Sequence, residues 1–193
     1  NHIAWVLSSW QICINKLPLL NEQVKISTWA YGMKAFYGYR NFKMEDAGGN
    51  LLAYANSVWV LVNTQTGRPV KVPQEFADTY GLEPQLEMDC AKRKIQIPDD
   101  MKQNGEIVVP QFFIDSNQHM NNEKYIMLAQ QQLPAGFEIS ELRVEYRKEA
   151  KLGDTIISFV KAADEQVTVV LADEDKRPYA VVAFLRKPVP DKN

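Results

Sequence analysis

Residues 122–133 read Asn-Glu-Lys-Tyr-Ile-Met-Leu-Ala-Gln-Gln-Gln-Leu, and they form the long stretch of the chain in which apolar residues recur at helical spacing. Tyr125, Ile126, Leu128 and Ala129 make the apolar side of this predicted helix. Outside it, apolar and polar residues alternate at the strand period in many separate segments. The predicted strands are 5–16, 23–31, 35–45, 51–62, 106–114, 141–149, 155–162, 166–172 and 179–186. One long helix among many strands indicates an α+β protein with antiparallel sheets.

Composition excludes several classes of protein. The 193 residues are 46% hydrophobic and 24% charged, which describes a globular chain with one sizeable core or two small ones. No apolar run approaches the roughly 20 residues that span a bilayer, so we expect no membrane span. A net charge of -2 gives no general attraction to nucleic acid. Cys13 and Cys90 are too few for a disulfide framework and lack metal-ligand spacing, so we predict no metal site and no cofactor.

The two halves of the chain resemble each other. Residues 17–22 (Leu-Pro-Leu-Leu-Asn-Glu) align with residues 149–154 (Glu-Ala-Lys-Leu-Gly-Asp) at an offset of 132, and each segment lies between two predicted strands. Residues 53–59 align with 180–186 at a slightly smaller offset. The alternative is chance similarity between β-meanders. A true duplication implies that the first half begins too late to include its own first strand and helix, so we expect an N-terminal piece to be missing.

An antiparallel sheet wrapped around a long helix, repeated in tandem, is the double hot-dog architecture. The predicted modules are residues 1–62, incomplete at their N-terminus, and residues 106–193. Residues 63–105 are the predicted linker, with a short helix at 73–80 closed by Gly81. The long helix also carries charged and amide residues, so we expect one of its sides to face solvent or the neighbouring module.

Residues 115–122, Asp-Ser-Asn-Gln-His-Met-Asn-Asn, contain most of the candidate catalytic side chains. In an extended segment Asp115, Asn117 and His119 would share one face, with alternate residues about 7 Å apart. The segment runs into the helix, whose first turn has unpaired N–H groups, is capped by Asn121 or Asn122, and can polarise a carbonyl. These groups suit the hydrolysis of a thioester. The alternative is a strand-to-helix turn in which the same side chains only form local hydrogen bonds.

Asp115, Asn117, His119, Asn121 and Asn122 resemble the D-x-N-x-H-x-N-N signature of the acyl-acyl carrier protein thioesterases of plants and bacteria. Residues 146–150 (Tyr-Arg-Lys-Glu-Ala) resemble the Y-R-R-E-C strand of that family, and residues 5–10 (Trp-Val-Leu-Ser-Ser-Trp) resemble its W-V-L-S-x-W opening. The resemblance implies tandem hot-dog modules, with the acyl pocket mainly in the first and the catalytic residues in the second. It implies fatty acyl-acyl carrier protein as the substrate, in the bacterial cytoplasm or, for a plant protein, the plastid stroma.

The same resemblance implies catalytic roles for Asp115, Asn117 and His119, and makes Glu149 the carboxylate that helps to hold or activate water. Ala150 departs from the cysteine of many plant members, which argues for hydrolysis without a Cys-His pair. The favoured nucleophile is water held by Glu149 and His119, with Asn117 and the amides at the helix end orienting the thioester and Asp115 setting the position and charge of His119. The alternative is direct attack by Asp115 to form an anhydride. Without the resemblance, Glu149 could equally form a surface ion pair with Arg147 or Lys151.

Substrate contacts are expected from Asn121 and Asn122 at the helix start, and from Trp29, Phe36 and Trp59 in the acyl pocket. Aromatic residues on strands can equally be plain core. The expected partner is acyl carrier protein, and a homodimer stays open because tandem duplication already supplies the pairing of modules.

Two alternative functions compete with hydrolysis. A hot-dog dehydratase or hydratase usually has its histidine three positions after the asparagine, whereas Asn117 and His119 are two apart. A non-catalytic module that binds acyl chains or carrier protein is the other alternative, and the retention of all four candidate catalytic residues argues against it.

Overall fold

The structure is a computed structural model that describes residues 2–188. Its described residues divide into two compact units, 2–93 and 94–188. Residue 1 and residues 189–193, at the outer ends of the two predicted modules, lie outside the described residues.

The first unit is a four-stranded antiparallel sheet followed by a short helix. Its strands are β1 (Ile3–Ile14), β2 (Val24–Lys34), β3 (Tyr37–Asp46) and β4 (Leu51–Asn63), and they pair in the order β2-β3-β4-β1. Helix α1 (Gln74–Tyr80) ends at Gly81, whose φ of 60° is the left-handed conformation that glycine adopts at little cost. The four predicted strands and the predicted short helix of this half are confirmed.

The second unit combines a five-stranded antiparallel sheet with a nine-residue helix. Its elements are β5 (Lys102–Val108), a 3-10 turn (Gln111–Phe113), α2 (Asn122–Gln130), β6 (Ile139–Tyr146), β7 (Thr155–Ala162), β8 (Gln166–Ala172) and β9 (Pro178–Arg186). The strands pair in the order β6-β9-β8-β7-β5. Helix α2 buries Tyr125, Leu128 and Ala129 and contacts β8 and β9, the most completely buried strands of this unit. Burial of each large apolar side chain stabilises the unit by roughly 1.5–3 kcal/mol.

The aligned segments 17–22 and 149–154 form the same turn. The Leu19 N–H donates to Glu22 Oε2 at 2.7 Å, and the Lys151 N–H donates to Asp154 Oδ2 at 2.9 Å. In return, the Glu22 N–H donates to the Leu19 carbonyl at 3.0 Å and the Asp154 N–H to the Lys151 carbonyl at 3.1 Å. Both pairs of residues are related by the offset of 132 found in the sequence.

The backbone and the strand order extend this correspondence. Asn21 and Gly153, also 132 apart, both have left-handed φ values, 69° and 85°. Strands β1 to β4 of the first unit pair in the same order as β6 to β9 of the second. The chain is therefore a tandem duplication, and chance similarity of meanders does not explain it. In the second unit β5 and α2 precede this set of strands, whereas the described part of the first unit starts with β1.

Three predicted boundaries are wrong for local reasons. The strand expected at 106–114 is β5, which ends at Val108, because Pro110 then starts a 3-10 turn. The strand expected at 141–149 ends at Tyr146, since the N–H groups of both Arg147 and Lys148 donate to one carbonyl, that of Tyr179. The helix expected to reach residue 133 ends at Gln130, where tighter hydrogen bonds precede Pro134 and proline disfavours helix in the residue before it.

Much of the segment predicted as a linker, 63–105, is bound to one sheet or the other. Residues 83–91 lie against the first sheet through buried or half-buried side chains of three strands. The bonds join Trp29 Nε1 to the Pro84 carbonyl, the Asn41 amide to the Leu86 N–H, and the Gln11 amide to the Asp89 carbonyl and the Ala91 N–H. In the second unit the Ile95 N–H donates to Glu145 Oε2 at 3.0 Å, and Ile95 packs against Val170 and Val181. Among residues 2–188 no helix is long and apolar enough to cross a membrane.

Candidate active site

The predicted pair His119 and Glu149 lies together in the second unit. The imidazole Nε2 is 3.2 Å from Glu149 Oε2, and the side chains are 33% and 58% exposed. Arg147, the alternative ion-pair partner of Glu149, instead binds Glu145 through Nη2 at 2.9 Å. The carboxylate of Glu149 therefore faces the imidazole at the edge of solvent, where a water molecule can reach both groups.

Residues 115–119 form a tight turn rather than an extended segment. Asp115 Oδ1 accepts hydrogen bonds from the N–H groups of Asn117 at 2.8 Å and His119 at 3.4 Å. The Asp115 N–H donates to the His119 carbonyl at 2.9 Å, and Gln118 has a left-handed φ of 64°. The prediction that Asp115, Asn117 and His119 share one face of a strand is wrong, because aspartate readily binds the backbone two residues further on. Asp115 holds the backbone that carries His119, and the side chain of Asn117 is exposed.

Two hydrogen bonds of the Ala150 backbone bring the two halves of the site together. The Met120 N–H donates to the Ala150 carbonyl at 2.8 Å, and the Ala150 N–H donates to the Tyr125 hydroxyl at 2.8 Å. Ala150 has no solvent exposure and Tyr125 is 2% exposed. His119 and Glu149 are the residues immediately before Met120 and Ala150, so these bonds hold the backbones that carry the two candidate catalytic side chains.

Tyr125 is a site residue that sequence reasoning missed, since it was predicted only as part of the apolar side of the helix. Its hydroxyl was the available signal, because a buried tyrosine hydroxyl usually has a hydrogen-bond partner. Burial raises the pKa of Tyr125 to about 12, so the hydroxyl stays protonated at neutral pH.

The start of helix α2 lies next to the imidazole along the chain. Asn121 is the cap, since its Oδ1 accepts from the Glu123 N–H at 2.9 Å, and Asn122 is the first helical residue. The Asn122 carbonyl accepts a hydrogen bond from the Tyr146 hydroxyl at 3.0 Å. Both asparagines are exposed, so the positive end of the helix is open to a ligand.

The first unit contains a cavity of about 210 Å3. It is lined by Trp5, Ala30, Met33, Gly38, Tyr39, Arg40, Trp59 and Tyr80. Trp59 was predicted to line a pocket, and its indole N–H donates to Ser57 Oγ at 2.8 Å, which leaves the ring as an apolar wall. Trp5 and Tyr39 were missed, although both lie on predicted strands.

The structure does not bring the other two predicted aromatic residues into this cavity. The Trp29 indole donates to the Pro84 carbonyl, and the Phe36 ring packs on Tyr37 with 4.5 Å between ring centroids. Trp29 therefore holds the segment 83–91, and Phe36 belongs to an aromatic pair.

Within residues 2–188, no three His, Cys, Asp or Glu side chains are grouped as metal ligands would be.

An antiparallel sheet packed on helix α2, with the same strand order repeated in the other unit, defines the tandem hot-dog class of proteins. Residues 1–80 match the acyl-ACP thioesterase N-terminal domain and residues 97–177 match the acyl-ACP thioesterase C-terminal domain. The chain belongs to the acyl-acyl carrier protein thioesterase family.

Individual relatives agree with this assignment. A chloroplastic acyl-[acyl-carrier-protein] hydrolase of Cuphea viscosissima is 30% identical over 177 residues, covering 84% of this chain and 42% of the relative. The chain therefore spans less than half the length of that relative. The crystal structure of an acyl-ACP thioesterase from Bacteroides thetaiotaomicron superposes with a TM-score of 0.87 at 21% identity, over 96% of this chain and 77% of that one. A 12:0-ACP thioesterase from Umbellularia californica superposes with a TM-score of 0.84 at 21% identity, over 97% of this chain and 76% of that one. These likenesses show the same fold.

Proposed function

We propose that this chain hydrolyses the thioester of fatty acyl-acyl carrier protein and releases the free fatty acid. The observation that carries the proposal is the 3.2 Å contact between His119 Nε2 and Glu149 Oε2, in a member of the acyl-acyl carrier protein thioesterase family. An imidazole paired with a carboxylate is suited to take a proton from water and return it to a leaving group.

In the proposed reaction, Glu149 and His119 hold a water molecule beside the thioester carbonyl. The water oxygen bonds to the carbonyl carbon while one of its protons passes to the imidazole, and the carboxylate of Glu149 stabilises the imidazolium that forms. The carbon–sulfur bond then breaks, and the proton passes from the imidazolium to the departing sulfur. The products are a fatty acid and the free thiol of the carrier protein.

Negative charge that develops on the carbonyl oxygen needs hydrogen-bond donors. The exposed start of helix α2 supplies the backbone N–H of Asn122 and the positive end of the helix dipole, whereas the Asn121 N–H already donates to the Phe113 carbonyl at 2.9 Å. The exposed side-chain amide of Asn117 is the second candidate donor. Both assignments are part of the proposal.

The turn at residues 115–119 favours water over Asp115 as the nucleophile. Asp115 Oδ1 is engaged with the N–H groups of Asn117 and His119, and a carboxylate oxygen that accepts such bonds is a weaker nucleophile than a free one. Asp115 is then a residue that positions His119 through the backbone. Ala150 supplies no thiol, so a cysteine nucleophile is not available at that position.

The proposed place for the acyl chain is the cavity of the first unit, walled by Trp5, Tyr39 and Trp59. Apolar and aromatic walls suit a hydrocarbon chain.

The proposed partner is acyl carrier protein, and the corresponding compartment is the bacterial cytoplasm or, in a plant, the plastid stroma. A homodimer is compatible with this function and is not required by it, since the four candidate catalytic residues lie in one unit.

The test is incubation of the chain with acyl-acyl carrier protein and with 2-enoyl thioesters, with free thiol and hydration product measured separately. We expect thiol release from the first substrate, abolished in His119→Ala and retained in His2→Ala, which replaces the other, exposed histidine. Hydration of the enoyl thioester would favour the dehydratase alternative. Binding of acyl carrier protein without turnover would favour the non-catalytic module, and undiminished thiol release by a folded His119→Ala variant would reject the assigned site.

A further inference from the structure

Glu149 lies outside the strands and helices. Strand β6 ends three residues before it, at Tyr146, and the Glu149 side chain is 58% exposed. A carboxylate in such a position can turn towards solvent unless its backbone is anchored. Its contact with His119 therefore needs an anchor close by in the chain.

Ala150 is that anchor. It is fully buried, its carbonyl accepts from the Met120 N–H, and its N–H donates to the hydroxyl of Tyr125. The Met120 bond links the backbone next to Glu149 to the backbone next to His119. The Tyr125 bond links the same residue to the buried side of helix α2, which also starts at the site.

We propose that Tyr125 is a positioning residue that holds Glu149 beside His119 by accepting the Ala150 N–H, an inference that rests on the proposed hydrolysis. The aromatic ring of phenylalanine would fill the same space, so the hydroxyl oxygen is the group that matters. Without it the buried Ala150 N–H loses its partner, and a buried donor without a partner is costly enough to move the backbone. Glu149 then leaves the geometry that the imidazole requires.

The first measurement is amide hydrogen exchange of Ala150, read by NMR on the intact chain. We expect Tyr125→Phe to speed the exchange of this amide by about tenfold, the scale of one buried hydrogen bond. Tyr146→Phe is the matched control. The Tyr146 ring packs edge-on against the Tyr125 ring, with 5.8 Å between centroids, and the Tyr146 hydroxyl donates to the Asn122 carbonyl. Removal of the Tyr146 hydroxyl leaves both Ala150 bonds in place and should leave the exchange of the Ala150 amide unchanged. Equal exchange of Ala150 in Tyr125→Phe and wild type would overturn the proposal.

The second measurement separates positioning from simple stability. We expect Tyr125→Phe to lower kcat for acyl-acyl carrier protein roughly tenfold with KM within about twofold, because the ground-state acyl contacts are untouched. In a Glu149→Gln background the same change should lower kcat by less than about twofold, since the group that it positions is already gone. Equal effects in the two backgrounds would show a merely structural role and overturn the proposal.

The two hypotheses fail in different ways. A wild-type chain that leaves acyl-acyl carrier protein intact would overturn the proposed function and, with it, the role of Tyr125. An active wild type, inactivated by His119→Ala, in which Tyr125→Phe is silent or additive with Glu149→Gln, would overturn the role of Tyr125 alone.

Discussion

The imidazole Nε2 of His119 lies 3.2 Å from Oε2 of Glu149, with the imidazole the more buried of the two groups. This asymmetry suits a hydrolase. The carboxylate is the group of the pair that solvent reaches more readily, and the imidazole is the group more enclosed by protein.

Asp115 offers a direct test of the nucleophile. Asparagine keeps a side-chain oxygen that can accept from the N–H groups of Asn117 and His119, whereas alanine does not. We expect Asp115→Asn to keep at least about one tenth of the wild-type kcat and Asp115→Ala to lose roughly 100-fold, because misplacing a reacting group by about 1 Å can cost that much. Steady-state assays with acyl-acyl carrier protein measure both.

The opposite pattern would identify a different mechanism. If Asp115 forms an anhydride with the acyl group, its carboxylate is indispensable and Asp115→Asn is as inactive as Asp115→Ala. A single turnover in 18O-labelled water adds a second readout, since label enters the Asp115 side chain only when an anhydride forms and water attacks its Asp115 carbonyl carbon.

Gly38 lies against the indole of Trp5, and both residues line the proposed acyl cavity. A Cβ at Gly38 would lie 2.9 Å from Trp5 Cη2 and 3.0 Å from Cζ3, closer than side chains tolerate. We expect Gly38→Ala to displace the indole, to shift the product profile towards shorter acyl chains, and to lower the free energy of unfolding by about 1–3 kcal/mol. Product chain lengths are read by gas chromatography after turnover of mixed substrates.

Gly32→Ala is the matched control for this change. Its Cβ would meet Tyr39 Cδ2 at 3.7 Å, an ordinary contact, so the product profile should stay that of the wild type. An unchanged profile in Gly38→Ala would show that the cavity beside Trp5 does not hold the acyl chain.

Ala150→Cys tests whether a thiol at this position can take part in the chemistry. The side chain of Ala150 is fully buried and both of its backbone groups are bonded, so a sulfur there would point into packed protein. We expect no gain in kcat, a loss of unfolding free energy of about 1–3 kcal/mol from overpacking, and alkylation much slower than that of exposed Cys90. Mass spectrometry of the alkylated peptides measures the two rates. Labelling of residue 150 as fast as Cys90, with loss of activity, would contradict the buried position.

The strands and helices were predictable because each follows a local pattern of residues, and the duplication was predictable because a similar segment recurs 132 residues later. Strand alternation follows from one buried face, and the turn at Glu22 and its counterpart at Asp154 use the same spacing of backbone and carboxylate. The family signature likewise placed His119 and Glu149 in one site, and the structure brings them into contact.

The features that were mispredicted or missed depend on side chains that compete for backbone hydrogen bonds, or on contacts between residues that are distant in the chain. At Asp115 a side chain bonds the backbone and bends a segment that alternation alone would leave extended. The anchoring of Ala150 by Tyr125 joins residues 25 apart in the chain, and no local pattern encodes it. The bonds that hold residues 83–91 against the first sheet were missed because the groups that form them, on Gln11, Trp29 and Asn41, lie on distant strands.

The most direct measurement is kcat for acyl-acyl carrier protein hydrolysis by Glu149→Gln, compared with Glu174→Gln, which changes an exposed glutamate in the turn between β8 and β9. Loss of a catalytic carboxylate predicts a kcat lower by roughly 100-fold or more in Glu149→Gln at an unchanged melting temperature, with wild-type turnover in Glu174→Gln. Wild-type turnover by a folded Glu149→Gln variant would contradict the assignment of the reaction to the pair His119 and Glu149.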